Sequence, residues 1–333
     1  MPEAANEQVS STLRAYTRAF IFALSMAMLP VLSVHAQQPA KKFRIGFLDI
    51  GQSEAVPKLL TDLGYIDGQN AAFEYRSTYA QPERAAEMAA DLVRSKVDVI
   101  IAVTNVNAFA AKQATSTIPI VVWASHGALA TGLVSSLAHP TGNVTGIESL
   151  APEIDAKRIE LLKEIVPGLM RVAALYNPND RGTPTHLKYT EDAARALGVR
   201  VLPLEVGAPA DYDSVFAPLA ANPIGGLVMF TDPLTMNNWK RVADFAFVNR
   251  LPTVCEFRQL AESGCLVSYG PTYDEFDRRV ASQVDRILKG KRPADVPYEQ
   301  VTRFEMVINL RTAKALGLEI PPSLLARADR VIE

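Results

Sequence analysis

Short runs of apolar residues alternate with amphipathic segments along the chain from Phe43 onward. The apolar runs are nearly continuous, as in RIGFLDI (44–50), which predicts parallel strands that are covered on both faces of a sheet. Segments such as PERAAEMAADLVRS (82–95) instead place apolar residues three and four positions apart, the spacing of a helix with one buried face. Strands that alternate with such helices predict a doubly wound α/β architecture.

This alternation occurs twice. The first series runs from RIGFLDI to NVTGIES (143–149) and includes a predicted helix in ATGLVSSLA (130–138). The second series starts at RVAALYN (171–177) and ends at CLVSYG (265–270). We therefore expect two lobes of the same α/β type, although no residue-level repeat is strong enough to indicate a duplication.

The C-terminal tail predicts that the chain passes between the lobes more than once. TYDEFDRRVASQVDRILKG (272–290) has the pattern of one long helix, and VTRFEMVINL (301–310) has that of a final strand. The predicted fold class is therefore α/β, with two doubly wound Rossmann-like lobes joined by a multi-strand hinge. We expect lobe one to comprise 41–148 and 271–297, and lobe two to comprise 149–270 and 298–333.

The N-terminal segment has the composition of an export signal. Arg14 and Arg18 precede AFIFALSMAMLPVLSV (19–34), which carries no charge. Small residues near its end predict cleavage after Ala36, so that 1–36 is a signal peptide and the mature protein is periplasmic. The alternative, an uncleaved membrane anchor, is disfavoured because the run is shorter than the roughly 20 residues that span a bilayer.

Composition and charge exclude some functions. The chain of 333 residues has a net charge of −2, so no basic surface indicates nucleic-acid binding. It contains no nucleophile elbow, dinucleotide fingerprint or Walker loop, and we expect a protein that is not an enzyme and needs no cofactor. The four histidines are scattered and predict no metal site.

The two cysteines lie near the end of one predicted strand (Cys255) and at the start of the next (Cys265). An exported protein can oxidise such a pair. A short helix between the strands would nevertheless hold the two Cα atoms farther apart than the roughly 4.4–6.8 Å that a disulfide requires. We therefore expect two buried free thiols.

Candidate ligand-binding residues follow from the fold. In open parallel sheets, ligands bind beyond the carboxyl ends of the strands, and two facing sheets direct both sets of ends into one cleft. Hinge closure around a ligand suits this architecture. Asp232 is the strongest candidate for a charged ligand partner, with helix capping as the alternative, and Glu256 is the second. The full predicted set is Gln52, Ser53, Thr104, Asn105, Trp123, Ser125, Tyr176, Asn177, Asn179, Asp232, Glu256 and Tyr269.

Some of these residues have alternative roles. Gln52 and Ser53 could hold a carboxylate at a helix N-terminus, or Ser53 could only cap that helix. Trp123 could stack on a planar ligand, although packing is the commoner use of such a residue, and His126 is a weaker candidate. In YNPND (176–180), a turn and a ligand role are compatible, because the turn directs polar side chains into the cleft.

Several stretches resemble one known family: PIVVWAS, GLVSSLAHPTGNVTGIES, LLKEIVPGLMRVAALYNPN, CLVSYG and INLRTAKALGLEIPPSLLARAD. They are similar to the ABC-transporter substrate-binding family that includes the tryptophan/tyrosine-binding TrpX-like proteins. The resemblance implies a class I-like periplasmic binding protein that holds a small molecule and docks on an ABC permease. Where the family commonly has DPV, this chain has Gly127, Ala128 and Leu129, and the missing carboxylate argues against an aromatic amino acid, whose amino group would need it.

The sequence thus predicts a monomeric periplasmic solute-binding protein of an ABC importer, which captures a small molecule between its lobes. Amino acids and aromatic compounds are the candidate ligands. A binding protein that signals to a membrane receptor is an alternative that the sequence does not separate from transport. An exported enzyme is a weaker alternative.

Overall fold

Two β-sheets, each covered by helices, organise the fold. The computed structural model describes residues 41–49, 54–78, 81–149, 152–220 and 224–333. The predicted signal segment 1–36 and the candidate residues Gln52 and Ser53 lie outside these ranges. Residues Lys42–Glu333 form one compact unit that contains both sheets.

The first sheet has six parallel strands in the described residues. They are β1 (Phe43–Asp49), β2 (Ala71–Ser77), β3 (Val99–Ala102), β4 (Ile120–Ser125), β5 (Val144–Glu148) and β11 (Glu299–Gln300). Their order is β11-β5-β4-β3-β1-β2, so the direction of winding reverses between β1 and β3. Every residue of β3 and β5 is buried, as expected for strands that helices cover on both faces.

The second sheet has seven strands in the described residues. They are β6 (Arg171–Tyr176), β7 (Arg200–Glu205), β8 (Leu227–Met229), β9 (Thr253–Cys255), β10 (Val267–Pro271), β12 (Phe304–Asn309) and β13 (Arg330–Ile332). The order is β13-β12-β10-β9-β8-β6-β7, and β12 runs antiparallel to β10 while the other pairs are parallel. The first five strands of each sheet follow the same order, and β6 and β8 correspond to β1 and β3.

Helices cover both faces of each sheet and define the two lobes. Lobe one is the first sheet with α1 (Ala55–Asp62), α2 (Ala85–Arg94), α3 (Asn105–Ala114) and α10 (Tyr273–Leu288). Lobe two is the second sheet with α4 (Pro152–Ile165), α5 (Thr183–Ala196), α6 (Asp211–Phe216), α7 (Pro233–Asn237), α8 (Trp239–Val248), α9 (Arg258–Glu262), α11 (Leu310–Leu316) and α12 (Pro322–Leu325). None of the helices in the described ranges is long and apolar enough to cross a membrane.

The long helix α10 shows how the tail joins the lobes. It begins after Thr272, whose hydroxyl accepts a hydrogen bond from the backbone N–H of Glu275 at 3.3 Å. Phe276, Val280 and Val284 are fully buried against the first sheet, where each contributes about 1.5–3 kcal/mol to stability. Within the described ranges the chain therefore crosses between lobes after β5, after β10 and after β11.

The predicted fold class, two doubly wound α/β lobes joined by several crossings, is confirmed. Glu299 and Gln300, which the sequence predicts to lie in lobe two, pair with β5 in the first sheet because the chain adds an edge strand there before it returns. The rest of the predicted division between lobes stays a prediction.

The predicted helix in ATGLVSSLA does not form. Residues 126–143 follow β4 as turns and bends. Gly132 within this segment has a φ angle of 74°, which interrupts a right-handed helix and which glycine adopts at little cost, and Gly127 and Gly142 on either side have φ angles of 73° and 84°. Leu133 is buried in the core, so the apolar residues of this segment reflect a loop that packs inward rather than a helix face.

The prediction of two free thiols is wrong, because Cys255 and Cys265 form a disulfide with their Cα atoms 6.5 Å apart. The expected helix between them exists, but α9 has only five residues. It returns the chain beside β9, since β10 is the parallel neighbour of β9 in the sheet. Adjacent strands therefore bring the two side chains together, which the linear pattern did not reveal.

Candidate functional site

A cavity with an internal volume of about 70 Å³ lies between the lobes at the carboxyl ends of their strands. Lobe one contributes residues at the ends of β3 and β4 and the start of α10, and lobe two contributes residues that follow β6, β8 and β9. We call this space the inner cavity. It is lined by Val103, Thr104, Asn105, Trp123, Ala124, His126, Asp180, Thr231, Asp232, Pro233, Met236, Phe257 and Tyr273.

A wider groove of about 510 Å³ adjoins the inner cavity at Pro233, and we call it the outer groove. Its walls also belong to both lobes, with Glu83 and Val106 from lobe one and Asn177 and Asn179 from lobe two. The size of both spaces therefore depends on how closely the lobes approach each other.

Corresponding positions of the two lobes meet in the inner cavity. In doubly wound sheets the ligand site lies where the strand order reverses, and β3 and β8 each border that point. Thr104 follows β3 and caps α3, accepting a hydrogen bond from the backbone N–H of Asn107 at 3.3 Å. Asp232 follows β8 and caps α7. The shared topology thus places one capping residue from each lobe at the same cavity.

Asp232 supplies a buried carboxylate to the cavity wall. Its Oδ1 accepts hydrogen bonds from the backbone N–H groups of Leu234 at 2.6 Å and Thr235 at 3.3 Å, and from Asn177 Nδ2 at 3.3 Å. Burial and the nearby charge of Asp180 raise the pKa of Asp232 to about 6, although these bonds oppose the shift. The side chain is therefore mostly ionised at pH 7, and the described lining residues include no lysine or arginine to neutralise it.

Three aromatic rings, those of Trp123, Phe257 and Tyr273, form an apolar part of the wall. Tyr273 packs edge to face against Trp123 and Phe257, with ring centroids 5.2 and 4.7 Å apart. The indole N–H of Trp123 donates a hydrogen bond to Asp277 Oδ1 at 2.6 Å, which fixes the orientation of its ring. Such a wall accommodates a flat apolar group, and the face of an aromatic ring also attracts a cation.

A cluster of buried charges joins the lobes beside the inner cavity. His126 of lobe one lies with its Nε2 atom 3.8 Å from Glu256 Oε2 of lobe two, an ion pair too long for a hydrogen bond. Arg158 lies 3.9 Å from Glu256 and 3.2 Å from Asp155. His186 Nδ1 lies 3.0 Å from Asp155 Oδ2. We call these five residues the charged cluster.

The charged cluster shifts the pKa values of Glu256 and His126. Burial opposes the charge of Glu256, but His126 and Arg158 outweigh it and lower the pKa of this carboxyl to about 2. Burial likewise opposes a charged His126, yet the carboxylates of Glu256 and Asp180 raise its pKa to about 9. At neutral pH the cluster therefore contains a positively charged imidazole that also lines the inner cavity.

Comparison with known proteins identifies the family. A family model described as ABC transporter substrate binding protein matches residues 52–332. The chain belongs to this family. It is therefore a substrate-binding protein of the ABC-transporter type, and the resemblance recognised in the sequence is confirmed.

Individual relatives agree with this assignment. The tyrosine-binding protein of Clostridioides difficile (strain R20291) is 28% identical over 262 residues, which cover 79% of this chain and 75% of that protein. A conserved domain protein from Vibrio cholerae O1 biovar El Tor has a TM-score of 0.82 at 26% identity, covering 87% of this chain and 100% of the other. An ABC domain in complex with L-Trp from Streptococcus pneumonia has a TM-score of 0.82 at 23% identity, covering 88% and 100%. The fold is that of class I-like periplasmic binding proteins.

Part of the predicted ligand set of this substrate-binding protein lies at the inner cavity. The predicted residues that line it are Thr104, Asn105, Trp123 and Asp232. Asn177 and Asn179 line the outer groove instead. The structure thus brings six of the predicted residues to the space between the lobes, and their contact with a ligand stays a prediction.

Other predicted residues are not among the described residues that line either space. Ser125 is buried and donates a hydrogen bond to a backbone carbonyl of β5 at 3.2 Å. The hydroxyl of Tyr176 donates to Glu205 Oε1 at 2.5 Å, and the ring packs in the core of lobe two. The backbone carbonyl of Tyr269 accepts a hydrogen bond from Arg158 at 2.9 Å. The side chains of Ser125 and Tyr176 thus contact the interior of the protein, and the ring of Tyr269 packs against the core of lobe two, since residues at strand ends alternate between cleft and core.

Glu256 belongs to the charged cluster and lies beside His126 rather than on the cavity wall. Gln52 and Ser53 lie outside the described residues. Within the described ranges, no group of histidine, cysteine and carboxylate side chains is arranged to hold a metal ion.

The inner cavity also contains residues that the predicted set omits. Asp180 follows Asn179 in the YNPND turn, so the same turn argument could have included it. Phe257 directly follows Glu256 at the end of β9. Tyr273 follows the end of β10 and lies in the segment 271–297 that the sequence assigns to lobe one, so the strand-end argument could have included it.

Proposed function

We propose that this protein is the periplasmic solute-binding subunit of an ABC importer, and that its ligand is a small molecule with an amino group and an aromatic or flat apolar part. One observation carries the ligand class. The carboxylates of Asp180 and Asp232 share the inner cavity with the rings of Trp123, Phe257 and Tyr273. Such a combination suits an ammonium group attached to a ring system.

The chemistry favours an amine over an aromatic acid. A charged hydrogen bond between an ammonium group and Asp232 contributes about 1.5–3 kcal/mol. An ammonium group over an aromatic face adds about 0.5–2 kcal/mol. An aromatic acid without an amino group would bring its carboxylate close to Asp180 and Asp232, and His126 is the single cationic side chain among the described lining residues.

Lobe one lacks the aspartate of the family's usual DPV, but a ligand amino group can still be bound by a carboxylate from lobe two. Gly127 and Ala128, which occupy the place of the family's usual DPV, donate backbone hydrogen bonds to Glu148 at 2.9 and 2.6 Å. Lobe two supplies Asp180 and Asp232 to the same cavity. The family pattern places the carboxylate for a ligand amino group in lobe one. In this chain, Asp180 and Asp232 of lobe two would take that role instead.

The relatives support aromatic amino acids as the first ligands to test, because one is named a tyrosine-binding protein and another was crystallised with L-Trp. Family membership supports an ABC permease as the protein partner and a location outside the cytoplasmic membrane. We propose that the protein acts there as a monomer, with its two lobes closing around one ligand.

Calorimetry on the mature chain tests the ligand class. We expect L-tryptophan or L-tyrosine, or the matching amines tryptamine or tyramine, to bind more tightly than benzoate. We expect Asp232→Asn to weaken binding of the amine-bearing ligand at least tenfold, because a charged hydrogen bond is lost while asparagine still caps α7. The affinity should also fall as pH drops below about 6, where Asp232 takes up a proton.

Asp211→Asn is the matched control. Asp211 also accepts backbone hydrogen bonds at the start of a helix, from Gly207 at 2.9 Å and Ala208 at 2.8 Å, and it does not line the inner cavity. This variant should keep the affinity of the wild type. Preferential binding of benzoate, or equal affinity in the Asp232→Asn variant, would contradict the proposed ligand class.

A further inference from the structure

We infer that Gly182 is a positioning residue for ligand capture, because its lack of a side chain lets lobe two close onto lobe one beside the inner cavity. The inference deepens the proposed function, since closure matters here only as the means of holding a ligand. It rests on a steric contact between the lobes, which is independent of the identity of that ligand.

No side chain fits at position 182 while the lobes are together. A Cβ atom built on Gly182 would lie closer than 3.0 Å to the carbonyl oxygen of His126, to His126 Cβ and to Asn105 Nδ2. All three atoms belong to lobe one, whereas Gly182 belongs to lobe two. Two of them cannot move by rotating a side chain, because one is a backbone atom and the other is a Cβ atom. The clash can therefore be relieved only by a backbone shift that takes position 182 away from the lobe-one surface.

The backbone of Gly182 itself does not require glycine. Its φ of −84° and ψ of −33° lie in the right-handed helical region, where alanine is equally allowed. Its backbone N–H donates to Asp180 Oδ1 at 2.8 Å, a bond that alanine retains. An alanine here is thus compatible with lobe two, and its conflict is with the opposite lobe.

The contact around Gly182 is supported on both sides. Asn105 Nδ2 donates to the backbone carbonyl of His126 at 3.0 Å and lies 3.4 Å from Asp180 Oδ1 across the lobes. The backbone N–H of His126 donates to Asn105 Oδ1 at 3.2 Å, which holds the lobe-one surface in place. The guanidinium of Arg181 lies 4.4 Å from the ring centroid of Phe109, another contact between lobes.

This contact is coupled to the inner cavity because its members also form the cavity wall. Asn105 and His126 of lobe one and Asp180 of lobe two all line that space. A methyl group at position 182 would therefore separate the walls that a ligand must touch at the same time. A ligand drives closure only through its better fit to the closed state, so blocking closure should weaken binding.

Spin-label distance measurements on Gly182→Ala test the inference. Labels are placed at Glu87→Cys on α2 and Lys188→Cys on α5, both exposed and one on each lobe, while the native cysteines are paired. Distances are measured without ligand and with L-tryptophan or L-tyrosine. We expect the wild-type background to show a short-distance population that Gly182→Ala lacks. Calorimetry should show at least tenfold weaker binding, with the unfolding midpoint of the ligand-free protein close to that of the wild type.

Gly226→Ala is the matched control in the same lobe. Its added Cβ would lie 3.2 Å from the side chain of Leu162, inside lobe two. We expect this variant to lose stability but to keep the wild-type distances and affinity, which separates a general packing defect from blocked closure.

The inference is overturned if Gly182→Ala keeps the short-distance population of the wild type, or if the wild type shows no such population under any condition. Failure of the proposed ligand class has a different signature. In that case calorimetry finds no binding of either amino acid to the wild type, while the comparison of distances still decides the role of Gly182.

Discussion

At the residue scale, the surrounding charges decide how buried carboxylates behave in this protein. Asp232 and Glu256 are both buried, with side chains in or beside the same cavity. Burial, together with the nearby charge of Asp180, raises the pKa of Asp232, whereas His126 and Arg158 overcome the effect of burial and lower the pKa of Glu256. Glu256 is therefore committed to partners within the protein, while Asp232 remains available to a cation from outside.

The charged cluster leads to a prediction for Glu256→Gln. Removing this charge breaks the ion pair of His126 with Glu256 and leaves Arg158 with Asp155 as its remaining buried carboxylate, and breaking a buried pair costs about 3–5 kcal/mol. We expect urea unfolding at pH 7 to show a loss of this size. The control Glu160→Gln removes a half-exposed partner of Lys157 and should change stability by less than about 1 kcal/mol.

The same variant should change the pH dependence of stability. The folded pKa of His126 is raised to about 9, so its contribution is fully present below the unfolded value of about 6.5 and is lost as pH rises to about 9. The contribution of Glu256 is present above its unfolded pKa of about 4.3 and is lost as pH falls toward 2. Wild-type stability should therefore decline between pH 6.5 and 9, and Glu256→Gln should decline less. Identical pH profiles would contradict the assignment of this ion pair.

At the element scale, helix capping and site formation use the same residues. The sequence left open whether Thr104 and Asp232 cap helices or face a ligand. In the structure each caps the helix that follows its strand and also lines the inner cavity. This is possible because the carboxyl end of a parallel strand is followed at once by the N-terminus of a helix, so one side chain reaches both.

The strand–helix–strand element from β9 to β10 leads to a prediction about the disulfide. The disulfide between Cys255 and Cys265 closes a loop around α9, and closing a loop of this length contributes about 2–4 kcal/mol to stability. We expect the Cys255→Ala/Cys265→Ala variant to lose a comparable amount in chemical unfolding. Addition of reductant should lower the stability of the wild type but not that of the variant.

Alkylation provides an independent check of this pairing. Denatured wild-type protein purified without reductant should incorporate no iodoacetamide, and it should incorporate two equivalents after reduction. Two alkylated cysteines in the unreduced sample would show that the thiols are free.

At the scale of the whole molecule, the two lobes are similar in plan but differ in what they bring to the cleft. Lobe one contributes Trp123, Tyr273 and the imidazole of His126, and lobe two contributes Asp180 and Asp232. Phe257 is the aromatic ring that lobe two adds, whereas the rings of Trp123 and Tyr273 and the charge of His126 meet the two carboxylates only when the lobes come together. A binding site divided in this way links ligand capture to the relative position of the lobes.

Export of the whole molecule leads to a prediction about the mature N-terminus. The predicted cleavage after Ala36 lies outside the described residues, and we expect protein isolated from the periplasm to begin at Gln37. Intact-mass measurement checks this directly. A mature chain that retains 19–34 would mean that the segment is a membrane anchor instead.

The sequence determined by itself those features that depend on local patterns. Continuous apolar runs and helical spacing predicted the strands, the helices and the two α/β lobes, because each segment's own periodicity decides which faces it can bury. The same patterns located the strand ends, and with them Thr104, Asn105, Trp123 and Asp232 at the inner cavity. The family-like stretches predicted the substrate-binding family that the comparison confirmed.

Only the tertiary structure decided which distant residues become neighbours. It paired Cys255 with Cys265 and brought Tyr273 to the wall of the inner cavity. It also placed Gly182 against His126 and gave Asp232 and Glu256 opposite pKa shifts. These properties depend on strand order, on the crossings between lobes and on charges contributed by other elements. A linear pattern carries no record of such contacts, since each residue's preference for helix, strand or burial is the same whichever residue finally lies beside it.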